Sequence, residues 1–303
     1  MNKEPLIVAC IPAFNEEKTI GKVVLQAQRY VSRVIVCDDG SMDMTAEIAT
    51  RLGADVIRHE RNLGYGGAIQ SLFRRARELN ADVSVTLDAD GQHDPREIPN
   101  VIKPVLDDVA DIAIGSRFAD RRLAYAIPWY RRAGIKLIAK LVNNASKQDI
   151  QDTQSGFRAY SRRSLRTLSA FENGMGVSVE VLISATKRGL RICEIPCSCN
   201  YGEDMRTSTQ NPMKHGIGVV ASILKIVIED KPLTTLGLPG IMCLIIGAFF
   251  GVWVLQIYTV ERQIVTNIAL ASIGFIMIGF FCLSTAITLY ALSRINQNLK
   301  REK

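Results

Sequence analysis

Along the first third of the chain, short unbroken apolar runs alternate with longer stretches in which apolar residues recur every three or four positions. The unbroken runs are residues 6–11 (Leu-Ile-Val-Ala-Cys-Ile) and 34–37, and the runs 54–57 (Ala-Asp-Val-Ile) and 83–85 (Val-Ser-Val) each carry one polar residue. Continuous β-branched and apolar runs of this length predict strands buried on both faces, as in a parallel sheet. Between them Ile20, Val23, Val24 and Ala27, then Ala46, Ile48, Ala49 and Leu52, then Ile69, Leu72 and Ala76 repeat at helical spacing. The alternation predicts an α/β domain, a mostly parallel sheet with helices on both faces. Each run ends in a polar cluster: Pro12-Ala13-Phe14-Asn15-Glu16, Asp38-Asp39-Gly40-Ser41-Met42-Asp43, Asn62-Leu63-Gly64-Tyr65-Gly66-Gly67, and Asp88-Ala89-Asp90-Gly91-Gln92-His93. Ligands of such sheets bind outside the carboxyl ends of the strands, so these clusters are expected to converge on one crevice. Asn15 or a neighbour is expected to cap the first helix, and Asp43 reads equally as a turn or cap residue.

The pattern changes after residue 230. No charged residue occurs from Leu236 to Tyr258 or from Ile264 to Ser293, and each stretch exceeds the ~20 residues a helix needs to cross a bilayer. Two spans are predicted, at about 236–258 and 265–292. Lys225 and Lys231 precede the first, and Arg294, Lys300, Arg301 and Lys303 follow the second, whereas the connection carries only Arg262. This asymmetry predicts both termini and the α/β domain on the cytoplasmic side of a cell membrane. Two basic amphipathic stretches precede the spans. Trp129-Tyr130-Arg131-Arg132 leads into Ile135, Lys136, Ile138, Lys140 and Leu141, and Met213, Ile217, Val220, Ile223, Leu224 and Val227 form one apolar stripe. Both read as helices lying in the membrane interface, with core packing the alternative for the second. The implied domains are 1–210 (the α/β domain), 211–232 (an interface helix) and 233–303 (a transmembrane hairpin with a short basic tail).

Composition refines this picture. The net charge of +7 over 303 residues suits an anionic membrane surface or phosphorylated substrates, and no nucleic-acid motif accompanies it. The seven cysteines form neither a zinc pattern nor an obvious disulfide framework. The glycines at 64, 66 and 67 are neither a dinucleotide fingerprint nor a P-loop.

The acidic stretch after residue 85 carries the candidate chemistry. Side chains alternate along a strand, so Asp88 and Asp90 are expected on one face, with Gln92 a third member if extended geometry persists. Two carboxylates and an amide oxygen form a hard donor set suited to Mg²⁺ or Mn²⁺ completed by nucleotide phosphates. A solvated acidic turn is the alternative.

Taken together, Ile11-Pro12-Ala13-Phe14-Asn15-Glu16, Asp38-Asp39-Gly40-Ser41, Asn62 with Gly64 and Gly66-Gly67-Ala68, Asp88-Ala89-Asp90-Gly91-Gln92-His93, Gly115-Ser116-Arg117-Phe118 and Asp152-Thr153-Gln154-Ser155-Gly156-Phe157-Arg158 resemble the family 2 glycosyltransferases of the GT-A fold. The closer likeness is to their dolichyl- (polyprenyl-) phosphate sugar synthase branch. The resemblance implies that Pro12, Phe14 and Glu16 line a nucleotide-sugar pocket, with Phe14 where the family often has tyrosine, and that Asp39 holds its base or ribose side. It implies Asp88 beside the donor, Asp88 and Asp90 with Gln92 as ligands of Mg²⁺ or Mn²⁺, and Arg117 facing the acceptor phosphate. Arg131 and Arg132 are further candidates for that phosphate, as is Arg206 in the polar stretch 201–209.

The chain departs from many soluble relatives in lacking a Glu-Asp pair for a catalytic base; Asp152 stands there, as a positioning or pocket residue. A sugar hydroxyl needs a base when it attacks, whereas a lipid phosphate is already an anionic nucleophile. The expected activity is therefore inverting transfer of a hexose-type sugar from GDP-mannose, UDP-glucose or UDP-N-acetylglucosamine to a dolichyl or polyprenyl phosphate. The alternatives are a transferase acting on another lipid or glycan, and a non-catalytic nucleotide-sugar-binding scaffold. The oligomeric state is left open, a homo-oligomer included.

Overall fold

The computed structural model describes residues 4–118, 139, 143, 150–168, 177–198, 232–263 and 265–301. The chain divides into two compact units, Met1–Ile223 and Leu224–Lys303. The two predicted amphipathic helices, with Arg131, Arg132, Lys136, Lys140 and Arg206, lie outside the described residues, as does the boundary expected at 210.

The four apolar runs become β1 (Ile7–Ala13), β2 (Arg33–Asp38), β3 (Asp55–Arg58) and β4 (Val83–Thr86). They are joined by α1 (Ile20–Ala27), α2 (Thr45–Arg51) and α3 (Tyr65–Glu78), and α4 (Ile98–Leu106) follows β4. Three further strands complete the sheet: β5 (Ile112–Ser116), β6 (Arg158–Ser161) and β7 (Ile192–Pro196). The helices α5 (Arg162–Thr167) and α6 (Val177–Lys187) lie between the last two.

The seven-stranded order is β3-β2-β1-β4-β6-β5-β7. All pairings are parallel except those of β6, which runs antiparallel to β4 and to β5. The chain winds outward from β1 through β2 to β3 and then returns to place β4 on the other side of β1. The crevice of a doubly wound sheet opens at such a reversal of strand order.

Side-chain alternation divides the core between the two faces of this sheet. Ile20, Val23 and Val24 of α1, Ala49 of α2 and Ile98, Val101 and Ile102 of α4 pack with Ala9, Ile11, Val36 and Val85. On the opposite face Leu72, Phe73 and Ala76 of α3, with Val181, Leu182 and Ala185 of α6, pack with Val8, Cys10, Ile35 and Ile112. Consecutive strand residues thus serve opposite cores, and the central strand β1 is apolar throughout because both its faces are covered.

The second unit contains α7 (Leu238–Glu261), preceded by a π-helical turn at Leu233–Gly237, and α8 (Thr266–Arg301). Each offers a stretch long and apolar enough to cross a membrane, Leu233–Glu261 and Thr266–Leu292, of which only 11% is buried within the protein. Apolar surface left uncovered on this scale is what a bilayer covers. The two helices meet at glycines. A Cβ on Gly279 would lie 2.7 Å from the Gly240 carbonyl oxygen, and one on Gly247 would lie 2.9 Å from the Ile276 nitrogen. Ser272 Oγ donates to the Gly247 carbonyl at 2.8 Å. Small residues bring backbones together where the lipid supplies no hydrophobic force between helices.

Candidate active site

The acidic turn begins where β4 ends. β4 ends at Thr86, two residues before Asp88; residues 89 and 90 form a turn and Gly91 takes a left-handed conformation, φ 75°, which glycine adopts without steric cost. Asp90 Oδ1 accepts from the Gln92 backbone N–H at 2.9 Å. The expectation that strand alternation aligns Asp88, Asp90 and Gln92 is therefore corrected: a tight Asx-type turn, rather than continued strand geometry, brings Asp88 and Asp90 together.

Their proximity registers in their acidities. Burial, then the charge of Asp88, pushes the Asp90 carboxyl up to about 6. Asp88 is raised by burial, against the opposing charges of Arg117 and Arg158. Glu16 belongs to the same cluster, raised by burial and by the charges of Asp90, Asp43 and Asp88 while Thr19 donates to it. Three carboxylates that resist joint ionisation make a site that a cation would relieve. Among the described residues no group of three or more His, Cys, Asp or Glu side chains is arranged to hold a metal ion. The hard oxygens of Asp88 and Asp90, with the Gln92 amide, fit Mg²⁺ or Mn²⁺ if diphosphate oxygens complete the shell.

The position of Asp88 depends on a glycine. A Cβ on Gly156 would stand 2.6 and 2.7 Å from the two Asp88 carboxylate oxygens, so only glycine leaves room for this side chain. Thr86 Oγ1 donates to the Gly156 carbonyl at 2.7 Å and fixes that approach. Behind Asp88 lies His93, buried, with Nδ1 3.7 Å from Asp88 Oδ2 and without a hydrogen-bond partner. Burial, then the Arg117 charge, lowers His93 to about 4, so the ring is neutral at physiological pH. Gln92 and His93 line a cleft of about 370 Å³ with Lys22, Gln26, Arg96 and Ser198, within the size range of small-molecule sites.

Arg117, one residue beyond β5, carries the site's cation. Its Nε and Nη2 each donate to Asp152 at 2.7 Å, one bond per carboxylate oxygen, and its backbone N–H adds a third bond at 3.1 Å. The Asp152 side chain has no exposed surface. Burial alone would raise its pKa; the charge and hydrogen bonds of Arg117 outweigh this and hold it below the usual carboxylate range. The Asp152 and Gln151 N–H groups donate in turn to Glu194 of β7, at 2.8 and 2.9 Å. Asp152 is thus geometrically a positioning residue for Arg117, and direct contact with a donor sugar, the other reading of this residue, is not open to its carboxylate. Arg158 lies beneath this pair, 2% exposed, donating to the carbonyls of Ser178 and Thr153. As the opposing charge on both Asp88 and Asp152, it links the two halves of the site.

On the other side of β1, Asp39 lies one residue beyond β2 and Phe14 stands exposed just beyond β1. The Asp39 carboxylate accepts from the backbone N–H groups of Leu63 and Gly64 at 2.9 and 2.8 Å and from His59 Nδ1 at 2.6 Å. The loop containing Asn62 and Gly64 is therefore built around Asp39. Asn15 caps no helix: it is left-handed, φ 55°, and bridges two loops, its N–H donating to Ser41 Oγ and its Oδ1 accepting from Met42 N–H. Pro12 is buried within β1. The sheet edge thus gathers Phe14, Glu16, Asp39, Asp88, Asp90, Gln92 and Arg117 around one crevice.

His93, Gly156 and Arg158 lie inside motifs visible in the sequence, yet nothing local distinguishes their roles. His59, Ser71 and Glu194 had no signal at all, each acting on a partner distant in the chain.

A doubly wound sheet bearing a carboxylate pair at its reversal point, facing an arginine held by a buried aspartate, has the architecture of the GT-A glycosyltransferase fold. Residues 8–169 match Glycosyl transferase family 2, and the chain belongs to that family. It is 34% identical over 220 residues to the UDP-N-acetylglucosamine–dolichyl-phosphate N-acetylglucosaminyltransferase of Methanococcus voltae, covering 66% of this chain and 88% of the relative. It is 32% identical over 220 residues to the dolichyl-phosphate hexose transferase of Haloferax volcanii, covering 72% and 92%. In fold it resembles glucosyl-3-phosphoglycerate synthase from Mycobacterium tuberculosis, crystallised with Mn²⁺ and UDP-glucose, at a TM-score of 0.59, 24% identity and coverage of 73% and 79%.

Proposed function

We propose that this protein transfers a hexose-type sugar from a nucleotide sugar to a polyprenyl or dolichyl phosphate in a single displacement with inversion. The observation that carries this reading is the Arg117–Asp152 pair. The carboxylate standing where a catalytic base would be sought is buried, ionised and bonded through both oxygens to a guanidinium, so it has no role in taking a proton from a hydroxyl. An acceptor that arrives already ionised needs no base; it needs a cation to orient it. Arg117, fixed by Asp152, would supply that cation beside Asp88, its charge rather than its Asp152-bound fork attracting the phosphate. Arg131, Arg132 and Arg206 are candidates for the same anion.

On the donor side, Pro12, Phe14, Glu16 and Asp39 would hold the nucleoside, and Asp88, Asp90 and Gln92 would hold Mg²⁺ or Mn²⁺ against the diphosphate. The bound ion would offset the charge that grows on the leaving nucleoside diphosphate. Relatives that act on dolichyl phosphate support the acceptor, and a fold neighbour crystallised with Mn²⁺ supports the metal. The two apolar helices would anchor the enzyme where its lipid substrate resides, and the basic residues flanking them favour a cytoplasmic catalytic unit.

The test is transfer by the full chain in detergent, with polyprenyl phosphate, Mn²⁺ or Mg²⁺ and a panel of labelled UDP- and GDP-sugars, repeated with EDTA and with Asp90→Asn. Metal-dependent label in an acid-labile lipid, lost in the variant, supports the proposal. Nucleotide-sugar binding without a lipid product from any donor would move the reading to another acceptor or to a scaffold.

A further inference from the structure

A buried chain of side chains links α3 to the β2 side of the crevice. Ser71 Oγ lies 2.9 Å from His59 Nε2, and His59 Nδ1 lies 2.6 Å from Asp39 Oδ1. Ser71 is 8% exposed and Asp39 4%. Nδ1 faces a carboxylate and therefore carries the proton, which leaves Nε2 to accept from the Ser71 hydroxyl. The constellation resembles a nucleophilic triad, but its serine sits in mid-helix, shielded from substrate, so its effect is on Asp39.

That effect can be counted. A carboxylate has about four acceptor positions, two on each oxygen. Oδ1 receives His59 Nδ1 and the Leu63 N–H; Oδ2 receives the Gly64 N–H. One position remains, on Oδ2. Next to it, Asn62 Oδ1 also accepts from the Gly64 N–H at 3.0 Å, so the Asn62 amide, with its two N–H donors, is seated beside the open position.

The crevice also sets a distance. β2 and β4 flank β1, and neighbouring strands lie about 4.8 Å apart, so the ends of β2 and β4 are separated by roughly 10 Å. A ribosyl diphosphate spans a similar length, so a nucleotide whose diphosphate lies at Asp88 and Asp90 brings its base to Asp39 and the exposed ring of Phe14.

We infer that the Asp39–His59–Ser71 network makes the base subsite selective for uracil over guanine, so that the donor is a UDP-sugar. Uracil offers one ring N–H between two carbonyls, matching one open acceptor position flanked by an amide donor. Guanine offers two adjacent N–H donors and needs both carboxylate oxygens. Saturation of Oδ1 by His59 leaves one of those donors unpaired in a desolvated site, a loss of about ten- to a hundredfold in affinity. This inference rests on the nucleotide-sugar reading above and adds a specificity-determining role for His59.

The experiment is calorimetric titration of the full chain in detergent with UDP and with GDP, each with Mn²⁺, for the native protein, His59→Leu and Ser71→Ala, with thermal unfolding as a check on folding. UDP is expected to bind the native protein about ten- to a hundredfold tighter than GDP. The ratio should shrink several-fold in His59→Leu, which frees a position on Oδ1, and less in Ser71→Ala, which keeps the imidazole but releases its orientation. If His59→Leu fails to fold, the Ser71→Ala ratio decides. Equal or tighter binding of GDP by the native protein, or a ratio unchanged in the folded variants, overturns the inference and leaves the lipid-phosphate acceptor untouched. Binding of neither nucleotide overturns both this inference and the donor reading.

Discussion

Replacing Gly156 with alanine separates catalysis from folding. The added methyl would stand 2.6 Å from Asp88 Oδ2 and 2.7 Å from Oδ1. A carbon and an oxygen in ordinary contact lie no closer than about 3.3 Å, so one partner must retreat by roughly 0.7 Å. The carboxylate will move, because it ends a rotatable side chain facing the crevice, whereas Gly156 is held through its carbonyl by Thr86. A shift of about 1 Å in a positioned group costs on the order of a hundredfold in rate, so Gly156→Ala should lower kcat/KM by roughly 10- to 100-fold. Stability should barely change: Gly156 does not occupy the left-handed region, and alanine at a compatible position restricts the unfolded chain, a gain of about 0.4–1 kcal/mol that offsets residual crowding. The assay pairs initial rates of sugar transfer to polyprenyl phosphate with thermal unfolding of the same preparation. A variant within twofold of the native rate would refute the argument that Gly156 places a working Asp88. So would a rate loss matched by a large drop in melting temperature, since that would make the effect one of folding.

Asp152→Asn removes the charge from a buried ion pair and leaves Arg117 without its counter-ion; it should destabilise the protein by about 3 kcal/mol and cut activity sharply, read by denaturant unfolding and by transfer rates. Arg117→Lys keeps the charge but loses the two-pronged bond, so it should remain folded while its KM for the lipid phosphate rises at least tenfold. Asp90 sets the pH dependence. An acid whose folded-state pKa is raised to about 6 holds its proton more tightly in the folded protein, so metal-free stability falls as pH rises toward 6. A metal ion must displace that proton below 6, so Mn²⁺ affinity in the presence of nucleotide should weaken by up to about tenfold per pH unit there and level off above, as metal titrations across that range would show. In the second unit, Gly279→Leu should part α7 from α8, because even a Cβ there meets the Gly240 carbonyl at 2.7 Å. It should lower the melting temperature in detergent without changing nucleotide affinity.

What the sequence made legible divides along physical lines. β1, β2 and β4 announce themselves because strands buried on both faces read as near-continuous apolar runs, whereas β3, a half-buried edge strand, shows only Val56 and Ile57 between Asp55 and Arg58. β6 and β7 do not: β6 carries the buried Arg158, and β7 is half-buried as far as residue 195, exposed at Pro196, and contains Glu194. Periodicity cannot register a strand whose polar residues are satisfied by partners far away in the chain. The acidic pair was visible as a pair, but its convergence rests on a turn set by Gly91 and the Asp90–Gln92 bond, where strand alternation had suggested a different route. Asp152 likewise stood out as a departure from a pattern; its meaning depended on Arg117, 35 residues earlier, and on Glu194, 42 residues later. Asn15 shows the limit of local rules, since a residue type that favours helix caps is used here to tie two loops together.

The central claim is that the attacking oxygen belongs to a phosphate that is already ionised. The most direct measurement offers the full chain one nucleotide sugar with Mn²⁺ and two acceptors that differ only at the head group, polyprenyl phosphate and the corresponding polyprenol. The account predicts lipid-linked label with the phosphate and none with the alcohol, because Asp152, bound through both oxygens to Arg117, has no capacity to deprotonate a hydroxyl. Comparable transfer to the alcohol would contradict it and would require a base other than Asp152.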